Sequence, residues 1–313
     1  MTKVLMVSKS TLLLTIFLGG RQSMNYYDDV QKLSEESVRR IRKFIEEKKA
    51  SAKYKDTFVN PILREDIFDV LSSEERIVVY YPLEDEENDG FHVQMPVGGE
   101  KKHFVYINTA KPLEKQIYAA AHELGHIWTD NGRRLGEELQ SPEEDDVLMN
   151  RFAAELLMPA ELFGPLATKK LGELSDEPGK ISEENFFRAA AFLMDEYFVP
   201  FYAVVRRLGE LNIMTGKTCR YIEEQLYKED PNGKKTLRDC INEGGYSKLL
   251  AGPNKKRSMT GFRELLDRAE EKGIFRPQKV AYLREKLNLP KVDGLQGTLE
   301  LLETDEAKNT EDK

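Results

Sequence analysis

The chain is poor in the residues that build cross-links and membrane spans. Its 313 residues include two cysteines, four histidines and one tryptophan. Cys219 and Cys240 cannot form a disulfide framework, and neither has a partner at metal-ligand spacing, so a cross-linked secreted scaffold is excluded and a reducing, cytoplasmic compartment is expected. Long apolar runs are also missing. Leu12 to Leu18 follows Lys3 and Lys9 in the manner of a signal peptide, but no small-x-small cleavage site follows. The run is far shorter than the roughly 20 residues a helix needs to cross a bilayer. Residues 1–23 are therefore read as a leader or disordered segment, with Met24 as an alternative start, and no membrane association is expected. A positive surplus is absent too. The net charge of −8 and pI near 5.4 argue against a general nucleic-acid surface and fit an enzyme that meets protein substrates.

What is present is ordinary for a globular protein: 40% hydrophobic and 33% charged residues, without repeats. Residues 24–74 carry apolar positions at helical spacing (Val30, Leu33, Val38, Ile41, Phe44, Ile45) and predict a helical pair over Val30 to Lys53, then a short helix in Arg64 to Leu71. Arg76 to Tyr81, Gly90 to Val97 and Lys102 to Asn108 are rich in β-branched and aromatic residues between Asp, Glu and Gly turns, which predicts an antiparallel meander. Helices follow. Residues 160–168 are expected to form a short turn broken at Gly164-Pro165, with a breaker-rich link over 169–179 and two helices over 182–194 and 199–211. Residues 212–313 read as short amphipathic helices (216–229, 235–250, 259–272, 276–288). Within them Lys255-Lys256-Arg257 is solvated surface, and an acidic tail ends the chain.

Half of the scarce histidines fall in one stretch, Ala119-Ala120-Ala121-His122-Glu123-Leu124-Gly125-His126. On a helix the HExxH spacing places His122 and His126 on one face, where two imidazoles can grip one metal ion. Glu123 then lies where a carboxylate can take a proton from water that zinc has acidified to a pKa of roughly 7. Residues 115–128 contain no Pro and predict that helix. A catalytic zinc site needs a third protein ligand, and the remaining histidines, His92 and His103, sit on expected strands. A carboxylate is the better candidate. In the helix predicted from Asp145 to Met158, stopped by Pro159, Glu144, Arg151 and Glu155 share a polar face expected to see solvent. Asp146 falls on the opposite face with Met149, Asn150, Ala153 and Leu157. Asp146 is thus either a metal ligand or a helix N-cap.

HELGH followed by Met149-Asn150-Arg151-Phe152-Ala153-Ala154-Glu155-Leu156-Leu157-Met158-Pro159 resembles the ImmA/IrrE family of zinc metallopeptidases, as does the strand Phe104 to Asn108 leading into the motif helix. The resemblance implies an α+β, zincin-like core over residues 75–211, in which a small antiparallel sheet packs on the HExxH helix, with mostly helical N- and C-terminal extensions. It implies Zn2+ held by His122, His126 and Asp146, the last standing where the family has Glu, and Glu123 as the catalytic base. In zincins an edge strand holds the substrate backbone, a role expected here for residues 102–108, whereas His103 and Tyr106 are expected to serve ordinary sheet packing. The resemblance further implies cleavage of a helix-turn-helix repressor supplied in trans, in keeping with mobile elements or stress loci and with the lack of a DNA-binding motif in this chain. Two other readings stay open: a zinc-binding regulator or toxin–antitoxin component acting by binding, and an unrelated metallohydrolase that reuses HExxH.

Overall fold

The computed structural model describes residues 14–15, 33–54, 57–74, 77–83, 88–97, 100–137, 142–223 and 236–286. Most of the expected leader and all of the expected acidic tail from Thr298 lie outside these residues. The architecture is α+β. Along the chain run β1 (Leu14–Thr15), α1 (Glu35–Lys49), α2 (Ile67–Ser72), β2 (Ile77–Tyr81), β3 (Gly90–Val97), β4 (Glu100–Asn108), α3 (Leu113–Thr129) and α4 (Pro142–Leu157). Next come α5 (Ala160–Glu173), β5 (Lys180–Ile181), α6 (Glu183–Tyr197) and α7 (Phe201–Glu210). The C-terminal region adds α8 (Gly216–Tyr221), α9 (Leu237–Glu243), α10 (Ser247–Leu250), β6 (Ser258–Met259), α11 (Phe262–Glu271) and α12 (Pro277–Lys286). Among the described residues no helix is long and apolar enough to cross a membrane.

The sheet order is β3-β4-β2-β6, and the sheet is mixed rather than an antiparallel meander. β3 and β4 form the expected antiparallel hairpin, but β2 pairs parallel to β4, in the register Val78 to Val105 and Tyr80 to Ile107. That register is set by the alternation of side chains: Val78, Tyr80, Val105 and Ile107 all turn inward and are buried. Strand composition identifies a strand without identifying its neighbour, and here the hairpin's inner edge was the free one. Consequently β4 is the centre of the sheet, not the edge expected of residues 102–108, and β3 is the edge beside α3. Tyr106 does serve sheet packing, stacked on Phe91 with ring centroids 4.8 Å apart. The fourth strand comes from far along the chain. β6 pairs antiparallel with β2, Lys255 N–H donates to Thr109 O at 3.0 Å, and the Thr109 hydroxyl donates to Lys256 O at 2.7 Å, tying this segment to the entrance of α3. Lys255, Lys256 and Arg257 remain exposed.

Further differences have local causes. Where a helical pair was expected over Val30 to Lys53, the described residues hold one helix, α1, and the short helix expected in Arg64 to Leu71 is α2. Ser34 begins α1 by accepting the Ser37 N–H at 3.0 Å, and Ile41 and Ile45 are buried against the core. Pro165 does not break α5, which runs on to Glu173. Phe163, Ala167 and Leu171 repeat every four residues on its buried face, and burying them outweighs the one ladder hydrogen bond Pro165 forgoes.

α3 lies at the middle of the core, its residues Ile117 to Ala121 and Leu124 buried. It meets α4 at Gly125, where a Cβ would come within 2.9 Å of Met149 Sδ and 3.0 Å of Phe152 Cδ1. Gly125→Ala is therefore expected to push the two helices apart, at a cost of about 1–3 kcal/mol. Chemical denaturation would read this loss. An unchanged midpoint would show that Met149 can move aside. Tyr118 adds a second tie, its hydroxyl donating to Asn150 O at 3.0 Å.

Candidate metal centre

The end of α3 places the first groups. Asp130, Asn131 and Gly132 take consecutive positive φ values of 52°, 52° and 80°. Asn, Asp and Gly tolerate this left-handed region better than other residues. His126 O accepts the N–H of Asn131 at 3.1 Å, and the Thr129 hydroxyl bridges Gly125 O and Gly132 N–H. The tight turn folds Asn131 back so that its Oδ1 lies 3.1 Å from His126 Nδ1. Asn150, from the facing turn of α4, puts its Oδ1 3.2 Å from His122 Nδ1.

An amide oxygen only accepts, so both Nδ1 atoms carry the proton and both Nε2 atoms present lone pairs. These two atoms face each other at 3.2 Å. Burial, reinforced by His126 and opposed by the Asn150 hydrogen bond, pushes the His122 pKa down to about 4, so the His122 Nε2 has no proton to share near neutrality. Two lone pairs so close repel unless a cation lies between them. Nitrogens at 2.0–2.1 Å on a tetrahedral ion stand about 3.3 Å apart, which these side chains match. A carboxylate oxygen of Asp146 lies 3.7 Å from His122 Nε2, and ligand atoms of His122, His126 and Asp146 all fall within 4.8 Å of one another. The three residues could hold one metal ion. Because α4 begins at Pro142, Asp146 lies in its second turn and is not the N-cap. The Asp146 side chain is 70% exposed, so the third position opens to solvent, as a site that admits water and substrate requires.

Glu123 points into the same place. It is 4% exposed, its Oε2 has no hydrogen-bond partner, and burial, then Asp146 and Asp145, push its pKa up to about 8. A buried carboxyl held largely protonated, with one oxygen unpartnered, could act as a proton acceptor wherever a positive charge lowered its pKa.

A family model for Peptidase M78, described as the IrrE N-terminal-like domain, matches residues 75–208. This segment therefore carries an M78, IrrE N-terminal-like, domain. None of the curated proteins compared with the chain matches it. The M78 domain therefore spans β2 to α7 and contains the histidine pair, Glu123 and Asp146.

Within the M78 domain His122, His126 and Asp146 are gathered at one site, and Glu123 lies near enough for the Asp146 and Asp145 charges to act on it, whereas the second helix differs from expectation on its other face. Glu155 does not see solvent, and Arg151 is mostly covered. The Glu155 side chain is 2% exposed and receives Arg207 at 2.7 and 3.0 Å, Arg42 at 2.9 Å and Arg151 at 2.8 Å. A helical wheel knows nothing of α1 and α7, which cover this face. Sequence reasoning also passed over Asn131, Asn150 and Asp145 as partners of the histidines, and His92. The His92 ring on β3 is centred 6.3 Å from that of His126. Gly90, two residues earlier on the same face, would bring a Cβ within 3.3 Å of Ala119, so β3 runs beside the His122–His126 turn.

Proposed function

We propose that this M78 domain is a zinc-dependent endopeptidase and that its substrate is a DNA-binding repressor of the helix-turn-helix class. The observation that carries the reading is the pair of Nε2 atoms 3.2 Å apart, each imidazole aligned by an amide oxygen on its Nδ1, together with an Asp146 ligand atom within 4.8 Å and a buried Glu123 carboxyl whose Oε2 has no hydrogen-bond partner. Zinc held by His122, His126 and Asp146 would acidify water and polarise a peptide carbonyl. Glu123 takes a proton from the attacking water and returns it to the departing amine, so a C–O bond replaces the C–N bond. β3 is the sheet's outer strand, paired on one side only among the described residues, and its free edge can receive an extended substrate backbone alongside α3.

The substrate follows from the family resemblance and is tested directly. The zinc-loaded protein is incubated with the helix-turn-helix repressor encoded beside it and the products are read by mass spectrometry. Discrete new termini are expected. An intact repressor, with zinc bound, would favour action by binding alone. Asp146→Ala should lower zinc affinity by more than the roughly 10–100-fold typical of an outer partner. Chelator competition measures it, and an unchanged affinity would put the third ligand elsewhere.

A further inference from the structure

Asp145 and Asp146 are adjacent acids that a sequence treats alike, yet α4 turns them to different tasks. Asp146 aims a carboxylate oxygen at His122 Nε2, on the side where a metal would lie. Asp145 goes behind the pair. Its Oδ2 lies 3.4 Å from His126 Nδ1, the nitrogen whose proton Asn131 Oδ1 accepts at 3.1 Å. The Asp145 side chain is 24% exposed, and its Oδ1 is buried without a hydrogen-bond partner. The histidines are thus supported unequally. Behind His122 stands a neutral amide, and behind His126 stand an amide and a carboxylate.

We propose that Asp145 is a positioning residue that works through charge: Asn131 fixes the orientation of His126, and Asp145 polarises its Nδ1–H and makes Nε2 the stronger donor. This rests on the metal-centre reading above and assigns a role to a side chain that reading does not use. The physical reason is that a carboxylate behind an imidazole favours positive charge on the ring, so it stabilises the ring when its other nitrogen binds a cation. An acid left half-buried with an unpartnered oxygen is costly unless a cation repays it.

The test is zinc affinity, by chelator competition, of the wild type, Asp145→Asn and Glu144→Gln. Asp145→Asn keeps the shape and removes the charge, and Glu144→Gln removes one charge from an exposed neighbour. Asp145→Asn should lose about tenfold in affinity. That loss should persist at high salt, since a partly buried pair is screened little, while Glu144→Gln stays within twofold of wild type. Asp145→Ser, which also lacks the charge, should fall with Asp145→Asn. In the zinc-loaded proteins the His126 ring 15N resonances should shift in Asp145→Asn while those of His122 hold, an effect that loss of a merely structural contact would not produce. Equal affinity for Asp145→Asn and wild type overturns the proposal, as does an equal loss in Glu144→Gln, which would signal only the general field of the acidic turn. If the wild type itself binds no zinc, the metal-centre reading falls and this one with it. If the wild type binds one ion and Asp145→Asn binds it as tightly, only this inference falls.

Discussion

Glu123→Gln should leave the fold and zinc binding in place and lower peptide hydrolysis by about 10^3-fold. The amide has the volume of the carboxyl but cannot take a proton from water or carry it to the leaving amine. The same change should make the metal-free protein more stable, and that opposition is its signature. Burial and the neighbouring acids Asp146 and Asp145 raise the Glu123 pKa from 4.5 to about 8. For an acid whose folded pKa lies above its unfolded one, ionisation opposes folding, increasingly so between these two values. At pH 7 that cost is roughly 3 kcal/mol, and Gln does not incur it. Thermal melts of the metal-free proteins should therefore show the variant melting higher at pH 7, with the difference shrinking towards pH 4.5. Assays of the zinc-loaded proteins on one cleavable peptide supply the other half. Full activity in Glu123→Gln would remove Glu123 from the chemistry, and loss of both zinc and fold would assign it a structural role.

The parts of this site legible in the sequence are those fixed by one helix at a time. HExxH needs only the 3.6-residue period to set His122, Glu123 and His126 on adjoining faces; the same period led to an inward-facing Asp146, whereas its side chain is 70% exposed and meets His122 at the solvent-facing rim of the site. That Asn131 turns back onto His126 depends on three successive left-handed residues, which no helical period reveals. Sheet order was not legible, because β4 separates β2 from β3, the two strands that precede it in sequence, and β6 arrives from about 150 residues after β4. Glu155 shows the limit most clearly. Its helical phase is polar and its chemistry is that of a surface acid, and only the arrival of Arg42 from α1 and Arg207 from α7 makes a buried position tolerable.

That burial makes Arg207 the most sensitive position outside the centre itself. Arg207 is fully buried and bonds both Glu155 oxygens, Met158 O and Glu210, so it fastens α7 to the last turn of α4. Arg207→Met fills much of the space but abandons the Glu155 carboxylate in the interior, a change that should cost about 3–5 kcal/mol at neutral pH. Adding Glu155→Leu to it should recover most of the loss, since removing both charges removes the uncompensated one. The pH dependence carries a definite sign. Burial alone would raise the Glu155 pKa, but the hydrogen bonds and charge of Arg207, aided by Arg42 and Arg151, win and bring it from 4.5 down to about 2. A depressed carboxylate stabilises the fold above its unfolded pKa, and that contribution is lost as pH falls from about 4.5 towards 2. Arg207→Met forfeits the same contribution at every pH, so its deficit against wild type should be largest at pH 7 and should narrow by pH 3. Urea midpoints at the two pH values decide the matter, and a deficit independent of pH would mean that the loss is one of packing. Because α4 also carries Asp146 and Asn150, the variant should bind zinc more weakly even where it remains folded, and the double variant should restore stability and zinc affinity together.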